Sequence, residues 1–195
     1  MVNDLVEIRW HGRGGQGAVT SAELLARAAI DEGKFAHAFP SFGPERRGAP
    51  VLAFVRIGNG GRIRIMSEIT NPDVVAVLDP GLLCVVDVAY GLKPGGIVVI
   101  NSKKSAESIR EELGLKASIA TVDATTLART VLGVPITNTT MVGALVRATG
   151  IVRPESLVKP LEDRFGRLAA KDIDAMQRAY QETAMKEFSN GQERS

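Results

Sequence analysis

The sequence predicts an α/β domain in which helices cover both faces of a mainly parallel sheet and one antiparallel hairpin joins it. Continuous apolar runs such as 74–78 and 97–100 are typical of strands that are buried on both faces. Segments with an apolar period near 3.6 residues follow them, as crossover helices do. Asn59-Gly60 stands between two β-rich runs, which is the strongest short hairpin signal.

In the N-terminal part the order is strand, glycine-rich turn, helix and strand. The helix at 18–30 has Leu and Ala on one face, and Gly33 follows it as a typical stop. A loop at 40–50 holds three prolines and two glycines, and loops of this length are usually functional or disordered. The predicted strands of this part are 5–10, 35–39, 51–57 and 62–66, the last two forming the hairpin around Asn59-Gly60.

The C-terminal part alternates strands with helices. A helix is predicted at 80–91, because a parallel neighbour needs a crossover of about a dozen residues and Pro80 suits a first helical turn. The remaining predictions are strands at 74–78, 97–100 and 118–122 and helices at 105–113, 125–132, 139–148, 154–168 and 172–188.

Length and composition exclude several protein classes. The chain has 195 residues, and we expect residues 1–195 to form one domain. With 24 basic and 22 acidic residues, the net charge of +2 gives no reason to expect a nucleic-acid partner or a membrane surface. No apolar run reaches the ~18 residues of a spanning helix, so we expect a cytoplasmic protein.

Cysteine and histidine usage limits the chemistry. The single cysteine, Cys84, excludes an internal disulfide and a cysteine-ligated iron–sulfur cluster, and its apolar surroundings predict a buried, inert thiol. The two histidines, His11 and His37, are too few for a zinc site and have no nearby nucleophile in the sequence. The residues therefore show no catalytic centre.

The segment GRGGQG fits the G-x-G-x-x-G pattern after a strand and before a helix, which predicts a Rossmann-like, three-layer α/β/α domain. Glycines let the backbone approach a phosphate, and free N–H groups at the helix start point towards it. The alternative is a tight turn without a ligand. A nicotinamide cofactor is disfavoured because Asp31 and Glu32 precede the second strand instead of ending it. The candidate anion-binding residues are Gly12, Arg13, Gly14, Gly15, Gln16 and Gly17.

Two further places could contribute to such a site. Arg46 and Arg47 lie in the middle of the 40–50 loop, and arginines bind phosphate or carboxylate bidentately, although a solvated charged turn is the plainer interpretation. Asn138 and Thr139 come before Met141-Val142-Gly143 at the start of the predicted 139–148 helix, where they are also ordinary N-cap residues.

These same segments carry a family resemblance. IRWHGRGGQGAVTSAELLA, FPSFGPERRGAPVLAFVRI and TNTTMVGALVRATG resemble the gamma subunits of pyruvate and ketoisovalerate:ferredoxin oxidoreductases, in the family's order and spacing, over residues 8–150. The RWHGRGGQG and ERRGAP forms are more similar to the pyruvate/ketoisovalerate branch than to the 2-oxoglutarate or indolepyruvate branches.

The resemblance implies a subunit of an enzyme that oxidatively decarboxylates a 2-oxoacid, reduces ferredoxin and forms acyl-CoA. It implies partner subunits of alpha, beta and delta type that carry thiamine diphosphate and iron–sulfur clusters. It also implies that this chain binds no cofactor tightly, and the sequence indeed lacks the GDG…N thiamine-binding motif. This chain would help to bind coenzyme A as co-substrate and would be inactive alone. The alternatives are a free-standing Rossmann-like nucleotide-binding dehydrogenase and a purely structural assembly subunit.

Overall fold

The computed structural model describes residues 5–41 and 48–188, which form one seven-stranded sheet with helices packed on it. The strands are Leu5–Arg13 (β1), Phe35–Pro40 (β2), Pro50–Gly58 (β3), Val74–Val77 (β4), Ile97–Asn101 (β5), Ser118–Val122 (β6) and Ala184–Lys186 (β7). The α-helices are Ala18–Asp31 (α1), Ala106–Leu113 (α2), Ala124–Leu132 (α3), Asn138–Thr149 (α4), Val158–Phe165 (α5) and Ala169–Glu182 (α6). Short 3₁₀-helices cover Pro80–Cys84, Pro154–Leu157 and Gly166–Leu168.

The strand order β2-β3-β1-β4-β5-β6-β7 places β1 between an antiparallel and a parallel half of the sheet. β1, β4, β5 and β6 pair in parallel, whereas β3 runs antiparallel to both β1 and β2, and β7 runs antiparallel to β6. Five of the seven described strands therefore point in the same direction. The predicted α/β class with a mainly parallel sheet is confirmed.

The two faces of the sheet are covered differently. On one face α1, α3, α4, α5 and α6 enclose the larger core around Ile8 and Trp10. On the other face α2, the Pro80–Cys84 turn and irregular segments cover a smaller core around Val77 and Ile100. The small residue Gly143 lets α4 lie directly on α6, since a Cβ there would stand 2.2 Å from the carbonyl oxygen of Met176.

The predicted hairpin around Asn59-Gly60 is wrong. β3 pairs with β1 along one edge and with β2 along the other, so no edge remains for a strand at 62–66. That segment is instead irregular and largely exposed. The hairpin of this sheet is β2–β3, whose strands pair antiparallel and are joined across residues 41–49.

The predicted helix at 80–91 is reduced to the 3₁₀ turn Pro80–Cys84, followed by further turns. Only Leu82 and Val88 of this segment are buried and Val85 is 64 % exposed, so a longer helix would have no apolar face to pack. The expectation of a buried thiol is wrong for the same reason, because Cys84 is exposed on this turn.

Two helices near the C-terminus differ from the prediction. The expected 154–168 helix is divided into Pro154–Leu157, α5 and Gly166–Leu168. The expected 172–188 helix begins earlier and ends at Glu182, and the chain then pairs with β6 as β7. Pairing satisfies the outer backbone groups of β6, which a continued helix would leave open. Within residues 5–41 and 48–188, the helices are too short or too polar to cross a membrane.

Candidate functional site

The glycine-rich turn lies where β1 ends and α1 begins, at the carboxyl ends of the parallel strands. β1 extends three residues beyond its predicted end, so Gly12 and Arg13 belong to the strand and Gly14 to Gly17 form the turn. Asp79 follows β4 and Asn101 ends β5 at the same edge. Ligands of open α/β sheets bind at this kind of edge.

Backbone and side-chain hydrogen bonds fix the shape of the turn. The N–H of Gln16 donates to the carbonyl of Arg13 at 2.9 Å, and the Gln16 side-chain oxygen accepts the N–H of Arg13 at 2.7 Å. From the other side, the N–H of Gly14 donates to Ala49 at 3.0 Å and the N–H of Gly48 donates to Gly14 at 3.2 Å. The turn is therefore preformed by contacts with both its own residues and the 48–49 segment.

Asp79 anchors the two polar side chains of the turn. Its Oδ2 accepts hydrogen bonds from Arg13 Nε at 3.1 Å and from Gln16 Nε2 at 2.8 Å, while its Oδ1 accepts the N–H of Gly81 at 2.8 Å. The charge of Arg13 is consequently balanced by a carboxylate. Sequence reasoning missed Asp79, although an acidic residue directly after a buried strand was the signal for it.

The glycines of the turn have different roles. A Cβ on Gly12 would lie 3.3 Å from that of Ala18, so Gly12 lets α1 pack against the strand. Gly17 has φ +82, and a Cβ there would stand 2.9 Å from the Asn138 side-chain nitrogen. Gly15 has φ +93 and open space where a Cβ would be. Gly15 is thus the exposed backbone of the turn that a ligand can approach.

The amino end of α1 carries no side-chain cap. Its N-cap is Gly17, and its first turn contains no acidic residue. The starts of α2 and α3 differ, because the side chains of Ser105 and Asp123 accept N–H groups there. An uncapped helix start bears about +0.5 of an elementary charge and unpaired N–H donors, a combination that favours an anion.

The interpretation of Asn138 and Thr139 as N-cap residues is wrong, since both lie inside the first turn of α4, whose N-cap is Thr137. Asn138 packs against Gly17, and its carbonyl accepts the Ser21 hydroxyl at 3.2 Å. Thr139 Oγ1 instead donates to Asp172 Oδ1 at 3.2 Å. Asn138 therefore lies at the turn, whereas the Thr139 hydroxyl joins α4 to α6.

Asn101 holds the neighbouring strand ends together, and sequence reasoning missed it as well. Its side-chain amide donates to the carbonyl of Leu78 at 2.8 Å and to Thr125 Oγ1 at 2.9 Å. Its Oδ1 accepts the N–H of Thr125 at 3.3 Å. This buried amide connects the ends of β4 and β5 with the start of α3. The position directly after an apolar strand was the available signal.

His11 and Arg9 form a structural pair on β1. Arg9 Nε donates to His11 Nε2 at 3.0 Å, and burial, reinforced by the Arg9 charge, lowers the pKa of His11 to about 4. The Arg9 guanidinium also donates to backbone carbonyls of the irregular segments, namely those of Ile69, Thr70, Val88 and Tyr90. Across the described ranges, no group of His, Cys, Asp and Glu side chains could hold a metal ion.

Of the ten predicted site residues, the structure brings the six of GRGGQG together with Asn138 and turns Thr139 towards α6. Arg46 and Arg47 lie outside the described residues. The arrangement offers backbone donors at a preformed, uncapped helix start.

Comparisons with known proteins agree on one family. The sequence model of the pyruvate ferredoxin/flavodoxin oxidoreductase family matches residues 7–182. The common subunit gamma of the pyruvate/ketoisovalerate oxidoreductases of Thermococcus litoralis is 54% identical over 94% of this chain and 100% of its own length. The crystal structure of pyruvate oxidoreductase subunit PORC from Thermotoga maritima has a TM-score of 0.84 at 40% identity, covering 94% of this chain and 99% of the other.

A more distant structure shares the fold. The 2-oxoglutarate:ferredoxin oxidoreductase of Magnetococcus marinus, solved with 2-oxoglutarate, coenzyme A and succinyl-CoA bound, has a TM-score of 0.71 at 20% identity. The match covers 90% of this chain and 30% of that one. In that protein, the fold described here is therefore one part of a longer chain.

Proposed function

Because this chain belongs to the pyruvate ferredoxin/flavodoxin oxidoreductase family, we propose that it acts as the gamma subunit of a multi-subunit 2-oxoacid:ferredoxin oxidoreductase and that its glycine turn helps to bind coenzyme A. Such an enzyme oxidatively decarboxylates pyruvate or a branched-chain 2-oxoacid, passes the electrons to ferredoxin and forms acyl-CoA. The observation that carries the coenzyme A assignment is Gly15, an exposed and open backbone position at the uncapped start of α1.

The proposed division of labour follows from the donor groups of the chain. One cysteine cannot ligate an iron–sulfur cluster, and the described residues offer no His, Cys, Asp and Glu grouping for a metal ion. Thiamine diphosphate and the clusters accordingly belong to partner subunits of alpha, beta and delta type.

Charge and geometry support coenzyme A as the ligand. Coenzyme A carries a 3′-phosphate and a pyrophosphate, and phosphates favour the N–H donors and positive end of a helix start. Gly48, the residue after Arg47 in the sequence, is hydrogen-bonded to Gly14 of the turn. Arg46 and Arg47 are therefore proposed to supply the cations of the site, since Arg13 is already paired with Asp79.

The proposed contribution to catalysis is positional. The preformed turn holds a phosphate group by backbone donors, so that binding requires little ordering of the protein. The coenzyme A thiol is then free to extend into the active site that the partner subunits form. Holding two reactants in a fixed geometry can lower the barrier of their reaction substantially.

A free-standing dehydrogenase that uses the turn for a nicotinamide cofactor does not fit the topology. Such enzymes place an acidic residue at the end of the strand that follows the first helix, next to β1. Here β2 lies beyond β3 and carries no acidic residue. Glu32, at the end of α1, is held by Lys34, Arg153 and Ser156.

The experiment that tests the arginines compares Arg47→Ala and Arg47→Lys in the intact complex. A charge-assisted hydrogen bond contributes about 1.5–3 kcal/mol, so Arg47→Ala should raise the KM for coenzyme A roughly 10- to 150-fold. The KM for the 2-oxoacid should stay unchanged, and lysine should rescue only in part because it lacks the planar fork. An Arg47→Ala complex with an unchanged KM for coenzyme A would refute this role, and failed assembly would assign the arginine to a subunit interface.

A further inference from the structure

The two outer strands of the sheet are protected to different degrees. β7 has three residues, and its last residue, Lys186, forms an ion pair with Glu107 at 3.3 Å. β2 has six residues, FAHAFP, without Lys, Arg, Asp or Glu, and no further strand pairs with it in the described ranges. Exposed edges are normally blunted by shortness, charge or a bulge. The β2 edge has none of these three features, and only its terminal residue, Pro40, disfavours pairing with another strand.

The register identifies the backbone groups that face outwards from β2. The N–H of Ser41 donates to the carbonyl of Leu52 at 3.0 Å, just beyond the last paired residues. Because hydrogen-bonded and non-bonded pairs alternate in an antiparallel ladder, every second residue before Ser41 bonds to β3 and the others do not. Ala36 and Ala38 belong to the second group. Their N–H and C=O groups therefore point to the open edge, between small side chains.

A groove runs along each side of this edge. One groove, of about 600 Å³, lies between β2 and the helices α1 and α5, and Ala36 and Ala38 line it. The other, of about 710 Å³, lies between β2 and the irregular residues 62–66. Successive side chains of a strand point to opposite faces. A strand added at the β2 edge would thus place alternate side chains in the two grooves.

The second groove is basic and apolar. Arg62 and Arg64 are exposed, and neither forms an ion pair with a carboxylate of the described residues. Beside them Ile30, Phe35 and Met66 are 52 %, 43 % and 59 % exposed. The side chains that complement this groove are acidic and apolar. A second copy of this chain that paired through the same edge would bring the same two arginines and a β2 without an acidic residue, so it does not supply that complement.

We propose that the β2 edge binds an extended segment of another subunit of the oxidoreductase, which adds to the sheet in the way that strands augment exposed edges. Its residues that face Arg62 and Arg64 are acidic and apolar. The outward N–H and C=O groups of Ala36 and Ala38 supply the backbone hydrogen bonds. This inference rests on the proposed function, because it requires that the chain works inside a multi-subunit enzyme.

Hydrogen exchange tests the proposal without any substitution. In the isolated chain the amides of Ala36 and Ala38 should exchange rapidly. In the intact complex they should exchange at least about tenfold more slowly, because each N–H then donates to the added strand. Equal exchange in both samples would overturn the proposal. Protection that appears in the isolated chain with rising concentration would assign the edge to a second copy and would also overturn it.

Two variants of one residue form a matched pair. Ala38→Pro removes the outward N–H and leaves the bonds to β3 in place, because proline is tolerated on a strand edge where its nitrogen faces away from the sheet. Ala38→Val keeps the N–H and suits a strand. Losing one ladder hydrogen bond and adding a clash should weaken association of the proline variant with the other subunits by about tenfold or more relative to the valine variant, which keeps that hydrogen bond. Equal association of the two variants would contradict the proposal.

The coenzyme A response separates this inference from the proposed function. A complex that responds to substitutions at the glycine turn but exchanges freely at Ala36 and Ala38 would refute only the edge proposal. A complex that protects these amides but uses coenzyme A independently of the turn would refute only the coenzyme A site. If no other subunit associates with the chain, both are wrong.

Discussion

Gly15 and Gly17 share a left-handed backbone, with φ +93 and +82, but differ in their surroundings. Gly15→Ala should lower the free energy of unfolding by about 1 kcal/mol, the cost of a side chain in this conformation. Gly17→Ala should lower it by roughly 2–4 kcal/mol, because its Cβ would also press on the buried Asn138 at 2.9 Å. Urea unfolding of the two isolated variants measures the difference. Equal losses would mean that Asn138 can move aside.

The site residues show how far sequence reasoning reaches at this scale. GRGGQG could be placed at a strand-to-helix turn because the pattern is local. The inward orientation of Arg13 and Gln16 could not be predicted, since their partner Asp79 stands 66 and 63 positions away in the sequence. That contact depends on the parallel pairing of β1 with β4. Side-chain roles set by strand pairing are not encoded in local spacing.

At the scale of elements, Glu32 fastens the end of α1 to the 153–156 segment. Its carboxylate accepts the Arg153 N–H at 2.6 Å, the Ser156 hydroxyl at 2.7 Å and the Lys34 ammonium at 2.9 Å. Burial by itself would raise the pKa of Glu32, but these hydrogen bonds outweigh it and lower the pKa from 4.5 to about 2. The folded protein therefore favours the ionised carboxylate.

The sign of the pH effect follows from that lowered pKa. The stabilisation is fully present above the unfolded pKa of 4.5 and is lost as the pH falls towards about 2. Between pH 5 and 2 the wild type should lose roughly 2–3 kcal/mol more stability than Glu32→Gln, whose side chain cannot ionise. Denaturant unfolding across this range measures the slopes, with Ser156→Ala expected to fall between them. Parallel slopes for wild type and Glu32→Gln would contradict this role.

Some elements follow from the local sequence pattern, and others depend on which edges of the sheet are already paired with a strand. The buried apolar strands at 74–78 and 118–122 were predicted within a residue or so. A short, continuous apolar run between turns indicates a strand covered on both faces, whatever the strand pairs with. The strand at 62–66 was wrong since β1 and β2 already occupy both edges of β3. The end of α6 at Glu182 likewise depends on the pairing of β7 with β6, and the local sequence does not indicate that pairing.

The whole molecule is organised around β1. Its position between β3 and β4 brings the glycine turn beside the end of β4, and β2 lies at the edge of the sheet beyond β3. The proposed coenzyme A surface and the proposed subunit surface thus occupy separate regions of the chain. Family membership could be inferred from long motifs in order, whereas this strand order could not, because pairing between distant segments determines it.

The central claim is that the glycine turn helps to bind coenzyme A, and Gly15→Val in the intact complex tests it most directly. The matched control is Gly133→Val. Gly133 has φ +80 and open space where a Cβ would be, but it lies at the C-terminal end of α3, whereas Asn101 contacts the start of that helix. We expect Gly15→Val to raise the KM for coenzyme A by about tenfold or more, with the KM for the 2-oxoacid and assembly unchanged, and Gly133→Val to leave all three unchanged. An unchanged KM for coenzyme A in an assembled Gly15→Val complex would contradict the claim.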